Sequence, residues 1–425
     1  MRWPTTHVVS RLFLAATCAA AAACSGAPTD AETSDGAFTS NAGKGLEMRF
    51  KGEVIARKDD TARKAIATQM QYMQGALTSD SGGNAQAGMS GLSNIREIEE
   101  GDLKRITYEA ALPVIWPNRQ TVPETYAVVL PRDVTKLSAF NAKYDGSCGT
   151  NEYGRETFWH DFNPKAQGCT TDDADVMRAT ASVAPHPQQT QGKYPEYDKI
   201  WEDDTLDLVA VFGIISSNTP NDEGARTREQ LLAETERSLT GATRTEGPET
   251  RGILKESTVS GKVTVGGRER KVNVTGVLVQ EVSSAGSAFN ERYAALTAKA
   301  DVVIYEGHSG LGKNINALAS NMGATAGKYQ LVYLYGCQTL GYLGPAMHDK
   351  RIALNGADRD PEGTKFLDVI ATGLLAYGDN GRSTLALYRA MLGADSPKTF
   401  NDLLGTISSL HLAVVFGEHD NTFAP

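Results

Sequence analysis

The sequence predicts an α/β protein: a C-terminal region on a mostly parallel sheet with helices on both faces, preceded by a smaller α+β domain. Two apolar runs, Val302-Val303-Ile304-Tyr305 and Leu331-Val332-Tyr333-Leu334-Tyr335, read as buried strands. The segment between them, 312–322, has helical length and composition, so strand–helix–strand is the natural parse. Such crossovers are right-handed and set their two strands parallel. Earlier in the chain, alternating apolar and polar residues over 48–55 and a Gly/Ser-rich loop over 78–93 predict a different architecture.

The elements follow in order. Residues 1–24 form a secretory signal, with Arg2 and Arg11 ahead of an apolar, alanine-rich run. Ala21-Ala22-Ala23-Cys24 is similar to a bacterial lipobox, which would make Cys24 the lipidated first residue; ordinary signal-peptidase cleavage nearby is the alternative. Residues 25–44 are small and polar and predict a flexible tether. Within the α+β domain, 45–185, strands are expected at 48–55, 106–116, 126–130 and 176–184, with helices at 61–77 and 134–144, an order that permits a βαββαβ sandwich. A linker, 186–204, begins with a Gln- and Pro-rich stretch.

The second domain spans 205–425 and opens on a core strand at 206–215. An amphipathic helix follows at 225–239, and Gly266-Gly267 between alternating runs marks a hairpin within 259–279. A helix at 288–299 leads to the strand that ends before His308. Beyond Cys337, helices are expected around 364–377 and 383–392, and a late strand at 410–416.

Composition excludes some functions. The net charge is −9, and Lys and Arg are scattered, so no nucleic-acid surface is expected. After the signal, no stretch approaches the ~20 apolar residues that span a bilayer. Metal-ligand spacing is weak, with no His-Glu-x-x-His or Cys-x-x-Cys and an acidic cluster at Glu418-His419-Asp420 that a solvated turn explains equally well, so neither a metal nor another cofactor is expected. Export makes the five cysteines informative. Cys18 leaves with the signal and Cys24 carries lipid. Cys148 and Cys169 flank a Gly-, Asn- and aromatic-rich loop and predict a disulfide, so Cys337 is left as a lone thiol.

His308 and Cys337 follow the two parallel strands and emerge at the same carboxyl edge, where open α/β sheets bind ligands. A thiol and an imidazole held there suit a cysteine nucleophile. A hydrophobic block ending in His308-Ser309-Gly310, then a second ending in Gly336-Cys337, resembles the signature of the caspase–gingipain–legumain superfamily of cysteine peptidases. Ser309 stands where that family has Gly. The resemblance covers roughly 205–425 and implies a caspase-like fold and endopeptidase activity on a peptide or protein substrate. It assigns Cys337 as nucleophile and His308 as its partner, with oxyanion amides from Cys337 and from Ser309 or Gly310. Glu306 is the candidate acid to orient His308. A lipid-anchored envelope peptidase is therefore expected; the alternative from another class is a non-catalytic surface lipoprotein serving binding or assembly.

Two other motifs compete. Gly307-His308-Ser309-Gly310-Leu311-Gly312-Lys313-Asn314 nearly spells a P-loop, but Asn314 replaces the Ser or Thr that binds Mg²⁺. Gly307-His308-Ser309 also starts like the nucleophile elbow of a serine hydrolase, with His411 or His419 as base, but Leu311 occupies a required glycine position. His160, between Trp159 and Asp161, reads as a loop-packing residue.

Overall fold

Two sheets of different character organise the molecule. The computed structural model describes residues 38–150, 152–216 and 221–425. The predicted signal, Cys24 and most of the tether lie outside these residues.

The first sheet has strands β1 (Gly43–Arg57), β2 (Asn84–Ala85), β3 (Gly91–Glu100), β4 (Leu103–Pro117), β5 (Thr125–Pro131) and β6 (Val176–Pro185), in the order β2-β4-β1-β6-β5, with β3 paired to β4. Every pairing is antiparallel. Burial along β1 alternates between inward and solvent-facing residues over most of its length, as a sheet with one packed face requires. Its inner face packs on α1 (Ala62–Met70), α2 (Tyr72–Ser81) and α3 (Leu137–Tyr144) through Met48, Val54, Met70, Leu77 and Phe140. Thr61 caps α1 by accepting a hydrogen bond from the Lys64 amide.

The second sheet has strands β7 (Thr205–Gly213), β8 (Thr240–Glu246), β9 (Lys255–Val265), β10 (Arg268–Val279), β11 (Val302–Glu306), β12 (Gln330–Tyr335), β13 (Leu367–Thr372) and β14 (Ala413–Phe416). Their order is β14-β13-β12-β11-β7-β10-β9-β8. The central strands β13, β12, β11, β7 and β10 are parallel, and antiparallel strands flank them on both sides. The chain is therefore mixed α/β, with a parallel centre and antiparallel edges. Gly266 and Gly267 turn the β9–β10 hairpin with φ of +61° and +69°, values that glycine adopts without a Cβ penalty.

Helices cover both faces of this sheet. On one side lie α4 (Tyr197–Ile200), α5 (Glu223–Ser238), α10 (Arg382–Leu392) and α11 (Phe400–Leu404); on the other lie α6 (Ser287–Thr297), α7 (Lys313–Asn321), α8 (Thr339–Tyr342) and α9 (Ala346–Asn355). Val302 and Ile304 enter the first core, Val303 and Tyr305 the second, following the two-residue period of a strand. Both sheets belong to one compact unit. Ile115 of β4 packs in the same core as Leu412 and Val414.

Some elements depart from expectation. The stretch 364–377 forms no helix; it contains β13, buried at every position, because Val369, Ile370 and Thr372 favour a short core strand over a helix. Residues 61–77 form two helices meeting at Gln71. β3 and β8 are polar edge strands that an apolar pattern does not announce. The end of the expected tether is packed: Phe38 is 4% exposed, and Thr39 pairs antiparallel with Val415. No helix among the described residues is long and apolar enough to cross a membrane.

Candidate active site

β11 and β12 are adjacent and parallel, and their last paired residues are Glu306 and Tyr335. His308 and Cys337 each stand two residues beyond that pair. With strands ~4.8 Å apart, the two loops leave the sheet side by side and level. The Gly307 amide donates to Tyr335 O at 3.1 Å, tying the loops together. Gly336 is needed for that approach: a Cβ there would lie 2.6 Å from Gly307 O.

His308 is exposed, and its Nε2 meets Ile215 O, just past β7, at 3.0 Å. A carbonyl accepts only from N–H, so Nε2 carries a proton; Nδ1 is the ring nitrogen left to accept one. Cys337 is half-buried, and its thiol donates to Ala376 O at 3.7 Å, in the loop after β13. The imidazole and the thiol thus lean toward opposite neighbours, and no hydrogen bond joins them. Burial pushes the Cys337 thiol above its ordinary value, against the pull of the Ala376 contact. That shift favours the protonated thiol, and no acidic or basic side chain is hydrogen-bonded to it among the described residues.

The His308 carbonyl is held by two donors, Tyr305 Oη at 2.5 Å and Asn314 Nδ2 at 2.8 Å. In a trans peptide the next N–H points the opposite way, so this clamp fixes the direction of the Ser309 amide. That nitrogen lies 3.6 Å from the point where a Cβ on Gly336 would sit, beside the thiol loop. Among the described residues, the amides of Ser309, Gly310 and Cys337 donate to no acceptor. Gly310, at φ +61°, begins the turn that brings Asn314 back onto the loop.

The remaining predicted residues separate from this pair. Glu306 is 4% exposed and accepts from Thr384 Oγ1 at 2.7 Å; it makes no hydrogen bond to His308. Burial raises its carboxyl to about 7, against the pull of Thr384. The Ser309 side chain is buried near the Tyr342 hydroxyl and is not presented at a loop tip, as a nucleophile elbow would require. His411 is bonded to Tyr335 Oη and to the Tyr377 amide, and His419 faces Glu362; neither bonds to Ser309. Cys148 and Cys169 form the expected disulfide, and Cys337 is the free cysteine among the described residues. No group of three or more metal-binding side chains occurs among those residues.

Tyr305, Asn314, Gln338 and the carbonyls of Ile215 and Ala376 also contact these loops, and no motif in the sequence marks them. Tyr305 reads as one more core residue. Asn314 registers only as the substitution that spoils a P-loop. The carbonyls carry no side-chain signal at all. A cavity of about 260 Å³ opens beside Ile215, Tyr305, His308 and Asn314.

Chemically, the arrangement suits acyl transfer. The Cys337 proton would pass to Nδ1 of His308, the sulfur would attack a carbonyl, and the unpaired amides would receive the oxyanion. The imidazolium would then protonate the leaving amine, and water would release the acyl group. The thiol must first turn from Ala376 toward His308. No family model and no curated protein sequence matches the chain.

Proposed function

We propose that the chain is a cysteine endopeptidase of the bacterial cell envelope, with the C-terminal sheet serving as a caspase-like catalytic domain. The observation that carries this is the level exit of His308 and Cys337 from neighbouring parallel strands, beside three unpaired backbone amides. Cys337 is the nucleophile and His308 the general base, with Nδ1 as the accepting atom. The Cys337 amide and that of Ser309 or Gly310 bind the oxyanion; the Tyr305–Asn314 clamp favours Ser309. Peptide or protein is the substrate, and lipid on Cys24 would hold the enzyme at the membrane.

A second proposal, a non-catalytic surface lipoprotein used for binding or assembly, draws on the lean of the thiol toward Ala376, away from His308, and on its burial. Hydrolysis of an unfolded, fluorescently labelled protein separates the two. Wild type should release fragments, and Cys337→Ala or His308→Ala should lower the rate by about 10³-fold or more. Ser309→Ala should retain activity, since it leaves the backbone amide in place. Full activity in Cys337→Ala would refute the thiol mechanism, and activity lost only in Ser309→Ala would point to a serine hydrolase.

A further inference from the structure

The first sheet's disulfide-closed loop reaches the thiol. Cys148–Cys169 closes a loop that carries Tyr153, Trp159, His160 and Asp161 onto the turn after Cys337. His160 Nε2 meets Gln338 Oε1 at 2.6 Å, and its Nδ1 meets Asp161 Oδ1 at 3.0 Å. Gln338 directly follows Cys337 and sits at φ +53°, a region that residues other than glycine rarely occupy. Such a backbone persists only where its surroundings hold it.

The Gln338 N–H donates to Leu374 O at 2.9 Å, and three side chains hold the Gln338 side chain. Besides His160, Tyr342 Oη donates to Gln338 Oε1 at 3.2 Å, and Gln338 Nε2 donates to Thr78 Oγ1 at 3.3 Å. Thr78 and His160 both come from the first half of the chain. The rings reinforce the junction: Trp159 meets Tyr342 edge-on at 6.1 Å, and Tyr153 stands edge-on to His160 at 5.6 Å. Among the described residues, the Asp161 side chain bonds to His160, and its second oxygen is buried without a hydrogen-bond partner.

We propose that His160 is a positioning residue for the Cys337 site: through Gln338 it fixes the turn that carries the thiol, so the disulfide-closed loop makes the first sheet part of the active site. This rests on Cys337 being the nucleophile. It also gives the N-terminal half a task in the chemistry, because two of the three side-chain contacts to the Gln338 amide come from that half. Releasing the clamp frees the turn, which exposes the thiol and misaligns it at once.

Two rates should therefore move in opposite directions. Alkylation of Cys337 by iodoacetamide, followed by intact mass, should speed up about tenfold in His160→Ala, while kcat for protein hydrolysis falls about tenfold with KM unchanged. His160→Gln keeps a donor for Gln338 Oε1 and should restore both. Gln338→Gly should behave like His160→Ala; glycine tolerates the backbone angle, so its effect belongs to the lost side chain. Cys148→Ser with Cys169→Ser should shift both rates the same way. General loss of structure would not be rescued by His160→Gln.

Unchanged alkylation and hydrolysis in His160→Ala and Gln338→Gly, at the wild-type melting temperature, would overturn the inference. Where His160→Ala melts early, Gln338→Gly carries the same decision. Alkylation needs no substrate: a wild-type chain that hydrolyses nothing refutes the peptidase proposal, and the alkylation ratio still decides on His160.

Discussion

Along β1, inward residues alternate with solvent-facing ones, whereas β11, β12, β13 and β14 are buried at every position. Carboxyls follow burial in the same way: little-buried ones are held low in both halves, Glu234 and Asp402 of the second half included. In the first half, Asp60 and Asp175 sit at the surface with their carboxyls held low, mainly by Lys64 and Lys143 respectively. In the second half, burial lifts Glu306 and Asp301 to about 7 and Glu418 to about 8. A sheet with one wet face can distribute ion pairs over that face. A sheet covered on both faces leaves its strand ends as the route to solvent, and His308 and Cys337 stand in the loops after β11 and β12.

The largest expected effect tests this difference in burial directly. Ile304, fully buried at the centre of β11, should lose about 2–5 kcal/mol of stability on Ile304→Ala. Thr180, on the wet face of β6, should change by less than about 0.5 kcal/mol on Thr180→Ala. Urea unfolding of the two variants measures the gap; equal losses would break the comparison.

A smaller effect concerns pH. Glu306 has a folded value of about 7 against 4.5 for the free side chain, so the folded state binds the extra proton. Its contribution is fully present below about 4.5 and is lost as pH rises through 7. The gap corresponds to about 3 kcal/mol at most. Glu306→Gln keeps a hydrogen-bonding group for Thr384 and should stabilise the chain at pH 8 but not near pH 4.5, as read by urea midpoints. The surface carboxylates of the first half act with the opposite sign, since their contribution is lost as pH falls. A Glu306→Gln variant with an unchanged pH slope would remove this part of the contrast.

Much of the second sheet was legible because short, fully apolar runs leave little choice. Val302–Glu306 and Gln330–Tyr335 could be placed with their crossover helix, and with them the shared edge of His308 and Cys337. β13 was misread as helix, because Leu374, Leu375 and Ala376 extend its apolar run past the strand's end. Polar edge strands such as β3 escape any periodicity argument, since neither face is buried. The site's supporting contacts were hidden for another reason. The carbonyls of Ile215 and Ala376 act through the backbone, and His160 reaches Gln338 across 178 positions of sequence. Local pattern cannot report either kind of contact.

The most direct measurement is a structure of the chain inactivated by a peptidyl ketone that alkylates thiols. The expected adduct has a covalent bond to Cys337 Sγ, the ketone oxygen ~3 Å from the amides of Cys337 and of Ser309 or Gly310, and His308 within hydrogen-bond reach. An adduct on another residue, or one on Cys337 with its oxygen in solvent and His308 more than ~10 Å away, would contradict the proposed mechanism.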